Sequence, residues 1–452
     1  MDFKIRNYNI NSSSPEISFT VKEQSELLFK TISHLLLPLP ALFLLTNNYP
    51  YLLILSVILI VSLSFLSFLL NWKITKFHSI ILYVLLIIFC YFIVSFFITG
   101  QSLDTFLSFS FLKYDGNFFF CYVLFFALAV PFFDYKIVSR IYFKYLFGIF
   151  VVFGLFGILE YLTNFTRIMI ATDPGAGRMF VALNFAHNAT GSVYTVVSLF
   201  ATIFLLTEKK KKLKFLYLGI LLVLVTSLFL TKSRGSYIGY IAGTFFVIVL
   251  HYRNFKKILT RCLILAGALI ALVFATGTYK RFIEIFSTTD TAVIRSRLWA
   301  HAWQLFVSSP IFGIGFGRFN DIELSSSYKL NGIRGFISVF TGSNIRLDAA
   351  HAHNSYFQFL SETGVVGIGL LFLFWGLCFG ILIRAFISSK TSYFGKKVYL
   401  CGITGIIALF VLAFTENYLS ATTIMVCMSM VVSLGIGLFW QEVRKGNPID
   451  KE

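Results

Sequence analysis

An all-α fold that crosses a bilayer about twelve times is predicted by three observations: the composition, the recurrence of apolar runs of spanning length, and the placement of the cations. The 452 residues are 57% hydrophobic and 13% charged, and Phe alone occurs 55 times. An ordinary soluble domain is roughly 25% charged, so this chain has too little polar surface to be one. The runs are roughly 18–22 residues long, enough to cross the hydrocarbon core as a helix.

The first four spans are expected at 27–45, 51–70, 79–99 and 117–133, separated by short polar links. Four more follow at 142–162, 188–206, 213–230 and 235–250. A ninth, 258–275, precedes the long polar stretch 276–353, and the last three are 355–387, 398–414 and 419–440. The chain therefore divides into an N-terminal segment 1–26, helices within 27–275, a large loop 276–353, helices within 354–440 and a tail 441–452. No fixed-period repeat is visible.

Lys and Arg resist translocation and collect in short cytoplasmic loops. With the N-terminus inside, the inner loops hold Lys73 and Lys76, Lys136 and Arg140, Lys209 to Lys212 with Lys214, then Arg253, Lys256 and Lys257. Arg384, Lys390, Lys396 and Lys397 continue the series, and Arg444 and Lys445 close it. The segment 1–26 and the tail 441–452 are then cytoplasmic, and the loop 276–353 is periplasmic. The first 26 residues are polar, without the charged start and apolar stretch of a cleavable signal. The net charge of +18 is largely this inner-loop bias, so nucleic acid is not an expected partner; the bilayer is. The six cysteines lie in or beside apolar spans and form neither a metal motif nor a disulfide framework.

The large loop carries Lys280, Arg281, Arg295, Arg297, Arg318, Arg334 and Arg346, against the usual bias for an outer segment. Within it, the residues from Ile294 predict an amphipathic helix that stops at Ser308-Ser309-Pro310. Trp299, Trp303 and Phe306 are expected to pack or to anchor it at the interface. Arg295 and Arg297 at its start are either surface charges or ligands to an anion. Gly313, Gly315 and Gly317 resemble a phosphate loop in composition only, since no Lys-Ser/Thr follows. Arg234 opens a span at an outer boundary, where a lone arginine ordinarily snorkels to lipid phosphate. The adjoining Gly235 would let an anionic head group approach the backbone. His351 and His353 are two residues apart, a poor spacing for a metal on a helix, and no metal or other cofactor is expected. A neutral imidazole can instead take a proton from a sugar hydroxyl near pH 7.

Three segments together resemble the O-antigen ligase and polymerase superfamily of bacterial membrane glycosyltransferases. They are Ser233-Arg234-Gly235, then Arg295-x-x-x-Trp299 leading through Pro310 to Gly313-Ile-Gly315-Phe-Gly317, and His351-x-His353-Asn354-Ser-Tyr356 leading to Glu362-x-Gly364-x-x-Gly367. Asn184-Phe-Ala-His187-Asn188 is a weaker fourth match. The resemblance implies a GT-C-like helical fold with a large periplasmic loop in the inner membrane. It implies an undecaprenyl-pyrophosphate-linked oligosaccharide as donor. His353, Arg234 and Arg295 then carry catalysis, with His351 and Arg297 as the close alternatives. Arg178, Asn188, Asn354, Tyr356 and Arg318 are the candidates for substrate binding, although Arg318 is equally readable as a structural charge. Guanidinium groups suit the pyrophosphate leaving group because they stay charged and fork onto phosphate.

Two members of one reaction class fit: a polymerase that extends a lipid-linked repeat unit, whose partner would be a chain-length-regulating membrane protein, and a ligase that delivers O-antigen to lipid A core. A transporter or flippase is the competing class. Transporters keep ionisable residues or broken helices near the midplane. Here the basic candidates lie at the outer surface, and Glu160, Arg261 and Glu416 sit toward span ends.

Overall fold

The computed structural model describes residues 79–108, 111, 115–129, 135–163, 187–252, 254–275, 290–319 and 351–444, together with 58, 59 and 62. The expected spans 27–45 and 51–70 fall outside these residues or nearly so. Arg178 and most of the loop cations, Lys280, Arg281, Arg334 and Arg346, also lie outside them. Every other expected span is occupied by a helix. In chain order these are α1 (Ser79–Ile98), a short α2 (Leu103–Phe106), α3 (Asn117–Ala129), α4 (Tyr135–Thr163), α5 (His187–Thr207) and α6 (Lys211–Leu230). They continue as α7 (Arg234–His251), α8 (Phe255–Ala275), α9 (Asp290–Ser308), α10 (Ser355–Ile387), α11 (Tyr393–Leu412) and α12 (Thr422–Arg444). Seven described helices are long and apolar enough to cross a membrane: α1, α4, α5, α6, α10, α11 and α12.

These helices form two populations. The central spans of α5, α11 and α12 are 83%, 78% and 94% buried within the protein, whereas those of α1, α4, α6 and α10 are about one-third buried. The sequence accounts for the division. Apolar side chains gain nothing by leaving lipid for protein, so inner helices are chosen by small and hydroxylated residues that pack closely and bond across helices. In α5, Thr195 donates to the Ser236 carbonyl of α7 at 2.8 Å, and Thr202 pairs with Tyr240 at 3.2 Å. The outer helices turn residues such as Leu86, Phe156, Leu222 and Leu373 outward.

Two local departures from regular helix position the site. α9 ends at Ser308 as its Ser-Ser-Pro stop predicts, and the glycine segment that follows folds against α10. Gly313, Gly315 and Gly317 all have positive φ. The Ile314 amide donates to the Ser361 carbonyl at 3.0 Å, and the Gly315 amide to that of Glu362 at 3.0 Å. α10 is itself broken at Gly364, φ 63°, where a Cβ would stand 2.2 Å from the Ile311 carbonyl oxygen. The Val365 amide freed by this break donates to Pro310 at 3.0 Å. Phe316 anchors the segment by stacking on Phe92 of α1 at 4.7 Å. The glycines thus serve backbone packing. They do so because side-chain-free positive-φ residues let two backbones meet.

Candidate functional site

The site is assembled around one carboxylate. Helix α11 runs from Tyr393 to Leu412, so it starts five residues and ends two residues earlier than the expected span 398–414, and residues 413–421 form a loop before α12. Glu416 in that loop is buried, with 10% of its side chain exposed. Its Oε1 accepts from Arg295 Nη2 and from Asn188 Nδ2, each at 2.8 Å. Its Oε2 lies 2.5 Å from His353 Nδ1. One acid therefore joins residues from α5, α9, the start of α10 and the α11–α12 loop.

Each partner is placed by its own element. Asn188, at the start of α5, accepts from Ser233 Oγ at 3.0 Å through Oδ1, and its carbonyl accepts from Tyr418 at 2.7 Å. Ser233 precedes Arg234, the first residue of α7, so the Ser-Arg-Gly motif is tied to the cluster through its serine. Arg234 is half-buried and makes no hydrogen bond or ion pair among the described residues. His187 lies within electrostatic reach of Glu416, Arg295 and Arg234. The room beside Gly235, expected to admit a head group, is filled by protein: a Cβ there would lie 2.3 Å from Thr415 Oγ1. Gly235 is required because the loop that carries Glu416 packs onto α7 at that point.

His353 has φ 49°, in the left-handed region that a residue with a Cβ rarely adopts. The surrounding bonds over-determine it. Asn354 caps α10 by accepting from the Tyr356 and Phe357 amides, at 2.9 and 3.2 Å. Ser355 donates to the Glu416 carbonyl at 3.0 Å and accepts from the Leu419 amide at 3.1 Å. On the other side, the Ala352 amide donates to Gln358 at 2.7 Å, and Gln358 donates to buried Glu362 at 2.7 Å. Glu362 also accepts from the Phe319 amide at 3.0 Å, so it braces the loop from α9 as well. Strain held in this way is characteristic of functional positions. Trp299 stacks on Phe357 at 5.8 Å, which secures α9 against α10 and so places Arg295.

The charges settle accordingly. Burial raises the Glu416 pKa, but the His353 hydrogen bond and the nearby His353 and Arg295 charges outweigh it and hold the carboxyl below its ordinary range. Burial and the adjacent His353 push His351 down to about 4, so it is neutral near pH 7. The two imidazole rings meet edge to face at 4.4 Å, and His353 is the one bonded to the acid. His351, His353 and Glu416 bring potential ligand atoms within 4.8 Å of one another, a spacing a cation could use. Both carboxylate oxygens are already engaged, however, and the Arg295 guanidinium on the same group opposes a dication. The donor set fits a histidine–carboxylate pair better than a metal centre.

Of the residues singled out in the sequence, the fold brings together His353, His351, Arg295, Asn188 and Asn354, with Arg234 alongside. Arg297 lies one turn or less from Arg295 on α9 and is half-buried. Arg318 instead donates to the Thr99 carbonyl at 2.8 Å, at the end of α1. Tyr356 ties α10 to α11 through the Phe410 carbonyl at 2.6 Å. It also lines an apolar groove of about 480 Å³ with Phe372, Trp375, Phe379, Phe410 and Phe414. In the sequence Glu416 reads as a span-end charge; the signal that points to it is an acid in the short link between two apolar spans.

Comparison with known families agrees with the motif resemblance: residues 219–372, which hold Arg234, Arg295, His351 and His353, match the family model described as O-Antigen ligase. No curated protein matches the chain.

Proposed function

We propose that this chain, whose residues 219–372 match the family model described as O-Antigen ligase, functions as an O-antigen polymerase. It moves a glycan from undecaprenyl pyrophosphate onto the hydroxyl of a lipid-linked repeat unit. The observation that carries the reading is Glu416, bonded at once to Arg295 and His353 from the two ends of the long loop. A carboxylate on Nδ1 holds the ring proton there and leaves Nε2 to accept.

In the proposed step His353 Nε2 takes the acceptor's hydroxyl proton as that oxygen bonds to the anomeric carbon. The bond from that carbon to pyrophosphate breaks, and the electron pair leaves on the lipid pyrophosphate. A single displacement inverts the anomeric centre. Arg234 is the cation available to the leaving group, and Arg295 retains donors beyond the one on Glu416. The apolar groove that Tyr356 lines along α10 and α11 suits the lipid part of such a substrate, whereas the buried Asn354 side chain, engaged with the Tyr356 and Phe357 amides and the Phe414 carbonyl, acts by holding the start of α10. The arginines make a metal unnecessary. The full architecture in this reading is about twelve spans of GT-C type in the inner membrane, with the site at the periplasmic face.

The description of the matched family favours a second reading, ligation of the glycan to lipid A core. Purified protein reconstituted with defined lipid-linked donor and either acceptor tests both. Extension of the lipid-linked repeat is expected; transfer to lipid A core instead would make the protein a ligase, and absence of any transfer would overturn the reaction class. In cells, deletion is expected to leave one repeat unit on the core. Bare core with accumulating lipid-linked polymer would identify the ligase.

A further inference from the structure

Helices α5, α6 and α11 join two chemically different ends. Asn188, Ser233 and Glu416 lie at one, where α5 begins and where α6 and α11 finish. At the other, α5 finishes at Thr207, α6 begins at Lys211 and α11 begins at Tyr393. A helix of 20 residues is about 30 Å long, so this second end is roughly that far from the carboxylate cluster. A cavity of about 870 Å³ opens there between α4, α6 and α11.

Arg140, Lys144, Lys209, Lys210 and Lys397 line it, with Glu208 as the carboxylate in the same lining. Lys397 is only 6% exposed and pairs with Glu208 at 2.9 Å. The Lys209 and Lys397 ammonium groups stand over the same Tyr393 ring, at 4.7 and 4.8 Å, and Arg140 lies over Phe394 at 5.2 Å. The Tyr393 hydroxyl is buried without a hydrogen-bond partner. Orientation in the membrane asks only for cations near span ends, where long side chains reach outward to water. It does not ask for a buried lysine, for two ammonium groups on one ring, or for an unmet hydroxyl in a cavity. Below the cations the wall becomes apolar, through Phe147, Val151, Leu216 and Ile220 of α4 and α6, and Leu216 is 55% exposed.

We propose that this cavity binds the phosphate head group of an anionic phospholipid, with an acyl chain along the α4–α6 wall. Five cations against one carboxylate supply the attraction, the aromatic rings hold the ammonium groups in place, and the volume is that of a small-molecule site. A free phosphate would use the cations and leave the apolar wall unused.

The test is native mass spectrometry of the intact protein taken from vesicles with equal phosphatidylglycerol and phosphatidylcholine. Wild type is expected to retain phosphatidylglycerol selectively. In the Lys144→Ala, Lys209→Ala, Lys210→Ala variant, which leaves the Lys397–Glu208 pair intact, retention is expected to fall roughly 100-fold, at about fivefold per cation removed. Lys209→Gln alone, expected to fall about fivefold, serves if the triple variant does not fold. Inorganic phosphate at the lipid's concentration is expected not to compete. Equal retention of the two lipids, unchanged retention in the folded variants, or displacement by inorganic phosphate would overturn the proposal.

Discussion

Glu416→Gln separates chemistry from structure at the site, because the amide keeps the shape of the carboxylate. Arg295 Nη2 and Asn188 Nδ2 both donate to Oε1, so the amide oxygen must take that position; the reverse orientation would set N–H groups against N–H groups. The amide nitrogen then faces His353 Nδ1, where Oε2 stood 2.5 Å away. Nδ1 has to accept, the ring proton moves to Nε2, and that nitrogen can no longer receive a proton from a hydroxyl. Loss of a positioned general base costs about 10²–10⁴ in rate, or roughly 3–5 kcal/mol of barrier. Folding suffers as well, since the three bonds from Arg295, Asn188 and His353 lose the carboxylate charge at about 1 kcal/mol each. Single-turnover glycan transfer in nanodiscs, with thermal unfolding on the same samples, reads both quantities. A Glu416→Gln protein that transfers glycan within about threefold of wild type would refute the histidine–carboxylate assignment.

Other expectations follow from neighbouring geometry. Arg234→Ala should lower transfer by about 10²–10³ without unfolding the protein, and Arg234→Lys should recover only part, because an ammonium cannot fork onto pyrophosphate; full activity in either would remove Arg234 from the clamp. Gly235→Ala forces Thr415 away and should cost about 1–3 kcal/mol of stability together with activity, and Thr415→Ala in the same chain should restore part of both. Gly364→Ala sets a Cβ against the Ile311 backbone at positive φ and should abolish the folded species in detergent chromatography, whereas Gly369→Ala, with open space around it, should leave that species unchanged. On acidification, the unfolded chain protonates His351 at its ordinary 6.5 while the folded protein resists until about 4, so stability should fall as pH drops through that window and be flat above it. His351→Asn should make that slope shallower. The part due to Glu416, whose folded pKa is depressed, should persist in the variant and be lost only as pH falls through the lower folded value.

Much of the helical order was legible because membrane spans are local: each must satisfy its own backbone bonds within one run of apolar residues. The stop of α9 at Ser308 follows from local pattern as well. Helix ends were less legible. α4 starts at Tyr135, seven residues before its apolar run, because an amphipathic first turn with Lys136 and Arg140 continues the helix beyond the hydrocarbon. The glycine segment and Gly364 read as separate features in sequence, and only their contact explains both.

The amino-acid order by itself determined that this is a polytopic helical protein and which cations and histidines merit attention, since hydropathy, loop charge and motif spacing are properties of short segments. It ranked His353 only narrowly above His351, read Glu416 as a charge at a span end, and could not show that Gly235 serves packing. Those depend on residues 188, 233, 295, 353 and 416 meeting, and sequence patterns carry no distance between segments so far apart. The tertiary structure brings them together by burying one carboxylate among donors from three elements, where each hydrogen bond fixes the orientation of the next.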